Sequence, residues 1–221
     1  MFAPRLSVLP PSQLLLWDEL KETPQGFVLY GGTAVALYLG HRQSVDFDFF
    51  SNRSFNPADL IAIVPYLRTA RIDQRGDNTL TASVEREGTV KVSFFGDVRM
   101  NRVHAPEMVG GHGLQIASLL DLTATKLKTI QQRAETKDYR DIAAAMDAGI
   151  ALEEAMGAAY AIYGGRFNAL AALKALTYFE DGNLPSLPQD MRERLRRAAG
   201  EVNWESLPTV AAEPGITSAG G

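Results

Sequence analysis

The sequence has no cysteine. That excludes a disulfide scaffold, Cys-ligated zinc and a thiol nucleophile. Histidine is scarce: His41, His104 and His112 are scattered, with no i, i+4 pair to suggest a histidine-rich metal site. No apolar run approaches the roughly 20 residues that a membrane span needs. The opening MFAPRLSVLPPSQ lacks the charged start and long apolar stretch of a secretory leader, so a cytoplasmic chain is expected. Positive charge is not in excess: 22 Lys and Arg face 26 Asp and Glu, a net charge of -4. An acidic total argues against indiscriminate nucleic-acid binding, although it would not reveal a local basic groove.

What is present suffices for a core. The 221 residues are 46% apolar, enough for one large domain or two small ones. SQLLLWDELKE is one-sided at helical spacing, with Ser12 as its N-cap. FVLY (27–30) reads as a buried strand, broken by Gly31-Gly32, and residues 33–39 read as a short helix closed by Gly40. SVDFDFF (44–50) alternates strictly and reads as a second strand, with Val45, Phe47 and Phe49 turned to the core. Asn56-Pro57 opens a helix that Pro65 interrupts. TLTASVE (79–85) and TVKVSFF (89–95) flank Arg86-Glu87-Gly88, a hairpin signature. Beyond about residue 114 the pattern turns helical, over 117–133, 137–149, 152–165, 167–179 and 191–202. The expected plan is an α/β module over 12–113, a helical module over 114–203 and a disordered tail over 204–221.

The chemistry concentrates in FVLYGGTAVALYLGHRQSVDFDFF, residues 27–50. A strand ends in Gly31-Gly32 and a helix begins at once. Glycine lets backbone N–H groups approach an anion, and a helix N-terminus adds partial positive charge. That is a phosphate cradle, with Thr33 placed to donate a further hydrogen bond. Thirteen residues on from Thr33, the second strand carries Asp46 and Asp48, which period two puts on one face. Two like charges side by side need neutralising, and hard oxygen donors suit Mg²⁺ or Mn²⁺. A Gly-Gly turn alone is usually only a turn, and a lone Asp-x-Asp is usually a solvated strand face. Their succession, strand–turn–helix–strand, makes a metal–nucleotide site.

Gly31-Gly32-Thr33, Gly40-His41-Arg42, Ser44 and Asp46-Phe47-Asp48-Phe49-Phe50 together resemble the first motif of the polymerase-β-type nucleotidyltransferases. The likeness is to the AbiEii/AbiGii branch, the toxin components of type IV toxin–antitoxin and phage-abortive systems. It continues in Lys126, Arg133 and Lys137-Asp138-Tyr139-Arg140-Asp141, which look like the branch's Lys and (Arg/Lys)-Asp-x-x-Asp motifs, and it covers about residues 27–145. The resemblance implies an α+β fold, a mixed sheet with flanking helices and a C-terminal helical module. It implies that Gly31, Gly32 and Thr33 hold the triphosphate of an NTP and that Asp46 and Asp48 hold Mg²⁺ or Mn²⁺. Lys126 and Asp138 join the two acids as catalytic residues, and Lys126 and Lys137 as nucleotide contacts. The implied partners are the NTP, an RNA (such as a tRNA 3′ end) or protein acceptor, and a cognate antitoxin.

Read on their own, Lys126 and Lys137 fall on helices joined by a short turn, hence antiparallel neighbours able to face one site. Asp138 is able to meet nucleotide or water, or to hold Lys126 in place; Asp141 to cap or brace a helix. Lys128 and Arg140 read as solvated helix charges. His41 and Arg42 complement a helix C-terminus, or Arg42 braces the acidic strand, and neither is given a catalytic role. His104 and His112 read as surface residues.

One departure matters. Polymerase-β-type enzymes carry a third carboxylate on a neighbouring strand, and in VKVSFF that place falls to Ser93. Either Glu85 or Asp97 reaches in, or two acids suffice, or the enzyme is weak. Two rivals follow. A degenerate, non-catalytic nucleotide-binding module takes its support from Ser93. A haloacid-dehalogenase-type phosphatase takes its support from VDFDFF, but it expects Thr or Val where Phe50 stands and has no use for Gly31-Gly32.

Overall fold

A computed structural model describes residues 2–217. The chain divides into two compact units. The first takes in the chain up to Met100, Ala105–Ser118 and the segment from Pro214; the second takes in Asn101–His104 and Leu119–Glu213. Among the described residues no helix is long and apolar enough to cross a membrane.

The first unit is built on a seven-stranded mixed sheet, in the α+β class the sequence indicated. Its strands are β1 (Val28–Tyr30), β2 (Asp46–Phe50), β3 (Arg71–Gly76), β4 (Thr79–Glu85), β5 (Thr89–Phe95), β6 (Glu107–Met108) and β7 (Gln115–Ile116). They lie in the order β3-β4-β5-β2-β1-β7-β6. β2 runs antiparallel to β1 and parallel to β5, so it sits in the middle of the sheet. Three helices accompany it: α1 (Pro11–Trp17), α2 (Gly31–Leu39) and α3 (Pro57–Ile63).

Alternation along the strands decides which face is core. Phe47 and Phe49 of β2, Val90, Val92 and Phe94 of β5, and Leu80, Ala82 and Val84 of β4 are all at most 1% exposed. Phe49 stacks on Phe94 with ring centroids 5.2 Å apart. Each such ring stabilises the fold by about 1.5–3 kcal/mol relative to an exposed position. Asp46 and Asp48, out of phase by one, lie on the opposite face and are half-buried. The β4–β5 hairpin closes through Arg86, Glu87 and Gly88, the last two at positive φ.

Several local expectations need correction. Val45 does not turn to the core: the ladder begins at Asp46, and Val45 stands before it, 61% exposed. Ser12 is not an N-cap. The helix starts at Pro11, whose ring fixes φ for a first turn, and no side chain caps it. β3 has no counterpart in the sequence reading. All six of its residues are exposed, so its backbone pairing to β4 leaves no apolar alternation to read.

The second unit is helical: α4 (Leu119–Thr129), α5 (Thr136–Asp147), α6 (Leu152–Tyr163), α7 (Ala169–Thr177) and α8 (Gln189–Glu201). α4 packs on α5 and α6, and α7 on α8. Of the segment read as a disordered tail, Trp204–Ser206 forms a 3₁₀ turn and Glu213 bridges Arg102 through both backbone groups. Arg102, buried, also donates to the Glu213 carboxylate. Residues 218–221 of that expected tail lie outside the described residues.

Candidate active site

β1 ends at Tyr30 and α2 begins at the next residue, so strand and helix share one sharp corner. Gly31 makes the corner at φ +76°, a left-handed conformation that a side chain would strain. It also makes room: a Cβ on Gly31 would lie 2.6 Å from Oδ2 of Asp48. The first N–H groups of α2 have no intrahelical acceptor, and the helix dipole makes that end a seat for anions.

Thr33 is fully buried, and its hydroxyl donates to the backbone carbonyl of Asp46. The side chain read as a phosphate donor therefore ties the first turn of α2 to the start of β2. What it fixes is the position of the acids relative to the glycine corner.

Asp46 and Asp48 project from one face of β2, and Gly31 lies beside the second of them. Parallel pairing sets Lys91 in register with Asp46 and Ser93 in register with Asp48. Ser93 is thus the residue beside the acid pair, at 2% exposure. Neither substitute acid is engaged there. The Glu85 carboxylate accepts from Thr89 at 2.7 Å, at the hairpin end four residues along β5 from Ser93, about 13 Å away. Asp97 is exposed and lies 3.6 Å from Arg99. Among the described residues no group of three or more His, Asp or Glu side chains is placed to hold a metal. Two carboxylates still fit Mg²⁺ or Mn²⁺, which take one or two protein carboxylates and complete their shell with phosphate oxygens and water.

The sequence offers Arg42 a helix C-terminus to complement or the acidic strand to brace, and no catalytic role. Gly40 closes α2 in the left-handed conformation, and residues 40–45 lead back to Asp46. From this return segment Arg42, half-buried, lays its guanidinium against Gly32. A Cβ on Gly32 would lie 2.5 Å from Nη2 of Arg42 and 3.0 Å from Oγ of Ser44. Arg42 Nη1 donates to the Gln43 carbonyl at 2.9 Å. The available signal was a cation four residues before the first acid, just past a helix stop.

The helical unit holds the other predicted residues. Lys126 is buried on α4, and its Nζ lies 2.8 Å from Asp138 and 2.7 Å from Asp141, both fully buried on α5. Arg133 donates to the second oxygen of Asp138 at 2.8 Å. Burial works to raise the Asp138 carboxyl, but the Arg133 hydrogen bond and the Lys126 charge outweigh it and hold the carboxyl below its ordinary value. Burial pushes the neighbouring Tyr139 phenol up to about 12, with Asp138 and Asp181 adding to it. Lys137 makes a different ion pair from Lys126. It is half-exposed and its Nζ lies 2.8 Å from Glu135. Lys128 donates to the Arg166 carbonyl, and Arg140 is exposed.

His104 is exposed. His112 is more engaged than a surface residue: it stacks on Trp17 at 4.9 Å, and its Nε2 lies 2.8 Å from the Trp17 carbonyl.

Residues 15–209 match the family described as the nucleotidyl transferase AbiEii toxin, type IV TA system. An uncharacterised protein of Aquifex aeolicus (strain VF5) is 32% identical over 118 residues, 52% of this chain. That match spans 55% of the relative, so the chain covers about half of its length. Among solved structures, MenT4, a nucleotidyltransferase toxin from Mycobacterium tuberculosis H37Rv, superposes over 86% of this chain and 82% of its own. The TM-score is 0.55 at 13% identity. A protein from H. pylori, provisionally described as a nucleotidyltransferase, superposes over 85% of this chain and 90% of its own, with a TM-score of 0.52 at 17% identity. At these identities the two structures speak for the fold.

Proposed function

The chain belongs to the AbiEii nucleotidyltransferase toxin family, and on that premise we propose that it transfers a nucleoside monophosphate from an NTP to a hydroxyl of an RNA, such as a tRNA 3′ end, or of a protein. The observation that carries the proposal is the Asp48 carboxylate set against Gly31 at the head of α2, an acid and an anion seat at one corner.

The N–H groups opening α2, at Gly31, Gly32 and Thr33, seat the phosphates of the NTP. Asp46 and Asp48 are the residues that would hold Mg²⁺ or Mn²⁺ beside them. A cation so held supplies charge stabilisation to the departing pyrophosphate. Thr33 keeps the acids at a fixed distance from the phosphate seat by anchoring the Asp46 carbonyl. The acceptor hydroxyl attacks the α-phosphorus in line and releases its proton to solvent, and the bond to pyrophosphate breaks. Positioning and electrostatics are the chain's contribution. Lys126, Lys137 and Asp138 enter the proposal on their motif; the ion pair between Lys126 and Asp138 supports a positioning part for Asp138.

Membership of a toxin family supports a cognate antitoxin as partner and a cytoplasmic site of action. Production without that partner arrests growth, and the Asp46→Asn variant does not. The direct test incubates the protein and Mg²⁺ with each α-³²P-labelled NTP and either total RNA or lysate protein. Label in RNA or in protein, lost in Asp46→Asn, is expected. No transfer to either, with NTP still bound, would favour the second reading, a nucleotide-binding module without turnover. Ser93 in the place beside Asp48 is the observation behind that reading.

A further inference from the structure

The two glycines of the corner exist for different reasons. Gly31 answers to a backbone demand, its positive φ, and to the Asp48 carboxylate. Gly32 carries no such backbone demand, since it is not among the positive-φ glycines. A side chain at position 32 would instead meet Arg42, with Nη2 at 2.5 Å and Cζ at 3.5 Å, and the Ser44 hydroxyl at 3.0 Å. Glycine at 32 is what lets a guanidinium lie on the first turn of α2.

We propose that Arg42 binds the β- and γ-phosphates of the nucleotide and so makes the site selective for triphosphates, and that position 32 is glycine to admit it. The proposal rests on the reading above, that this corner holds an NTP. Three arguments carry it. The first is charge: Asp46 and Asp48 together cancel one divalent cation, so the phosphate chain needs positive charge from elsewhere, and a helix N-terminus supplies only a fraction of a charge. The second is shape. A guanidinium is a rigid planar fork of N–H donors that meets two phosphate oxygens at once, and the bond from Nη1 to the Gln43 carbonyl helps to hold it over the corner. The third is order along the corner. The acid lies at Gly31 and the guanidinium at Gly32, so a phosphate chain with its α-phosphorus at the acids brings its outer phosphates to Arg42.

Binding of ATP, GTP, CTP and UTP, and of the matching di- and monophosphates, is measured by calorimetry with Mg²⁺ for the whole chain. Wild type is expected to prefer triphosphate to monophosphate. Arg42→Ala is expected to weaken the best triphosphate by about tenfold or more and the monophosphate by about twofold or less, with Arg42→Lys between. Gly32→Ala meets only the tip of a flexible side chain and a serine hydroxyl, so it folds, displaces Arg42 and reproduces the loss. The double variant is then no weaker than either single one. Arg42→Gln keeps most of the side-chain length and replaces Arg42→Ala should that variant not fold. Triphosphate affinity unchanged in the folded Arg42 variant, equal losses for tri- and monophosphate, or full additivity with Gly32→Ala would each overturn the proposal. A wild-type protein that binds no nucleotide with Mg²⁺ would instead sink the reading of the corner on which it rests.

Discussion

The carboxylate of Asp48 lies against the backbone of Gly31, so closely that a Cβ on the glycine would stand 2.6 Å from Oδ2. One contact thus joins the helix that offers positive charge to the strand that offers negative charge. Gly31→Ala disturbs both. Its φ of +76° costs an L-residue about 1–2 kcal/mol, and the methyl pushes the acid from its place. Chemical denaturation should show a loss of that size, while transfer falls more than tenfold, about 1.4 kcal/mol of barrier or more. A variant with lost stability and intact transfer would mean that the closeness of acid and glycine has no catalytic use.

Asp46→Asn and Asp48→Asn should separate fold from function. Both side chains are half-buried on the face opposite the phenylalanine core, so unfolding free energies should move by only about 0.5 kcal/mol. In EDTA Asp46→Asn should be no less stable than wild type, because it removes one of two neighbouring like charges. Transfer should drop about a hundredfold or more in each, since each is one half of the proposed two-carboxylate metal site. EDTA should abolish wild-type transfer, and Mg²⁺ or Mn²⁺ restore it. Full activity in either variant would remove the assignment of the metal to this pair.

The acid pair was legible because period two left it no other face while Phe47 and Phe49 took the core. The glycine corner was legible because a strand run, two glycines and a helical run follow each other without a gap. Arg42 was not. It comes close to Gly32 from a return segment with no periodicity, and the sequence alone leaves it between a helix end and the acidic strand. The internal partners of Lys126 were only half legible. The i, i+3 spacing of Asp138 and Asp141 puts both on one face of α5, but the sequence leaves open whether Lys126 meets them or solvent. β3 was invisible because an exposed edge strand is held by backbone bonds that no side-chain pattern records.

Ser93 gives a way to ask what a third carboxylate would do. Its register opposite Asp48 and its burial mean that Ser93→Asp sets a third negative charge into the pair. Without a cation that charge is repelled and desolvated, so the variant should melt several degrees below wild type in EDTA. With millimolar Mg²⁺ it should recover more of its melting temperature than wild type gains. A variant that melts at the same temperature with and without Mg²⁺ would place Ser93 away from any cation site.

Lys126 and Lys128 lie two residues apart on α4 and should differ sharply. Lys126→Ala takes the ammonium away from both Asp138 and Asp141, and breaking a buried ion pair this way costs about 3–5 kcal/mol. Lys128→Ala loses an exposed bond to a carbonyl and should cost less than about 0.5 kcal/mol. Denaturation midpoints read both. Activity of Lys126→Ala is informative only where the variant is still folded, so transfer should be measured well below its midpoint. Equal stability of the two variants would mean that the buried ion pair contributes nothing.

The same cluster fixes how stability depends on acid. Against the raising effect of burial, Arg133 and Lys126 hold the Asp138 carboxyl below the ordinary 3.8. A carboxyl with a depressed folded pKa binds fewer protons in the folded chain than in the unfolded chain. Its contribution is therefore fully present above the ordinary value and is lost as the pH falls through the folded one. Unfolding free energy measured from pH 7 down to pH 2 should decline below about pH 4. Asp138→Asn removes the titrating group, so that variant starts lower at neutral pH and declines less steeply in the same window. Parallel acid limbs for wild type and Asp138→Asn would show that the cluster carries no net proton linkage, and that Arg133 and Lys126 do no more than offset the cost of burying the acid.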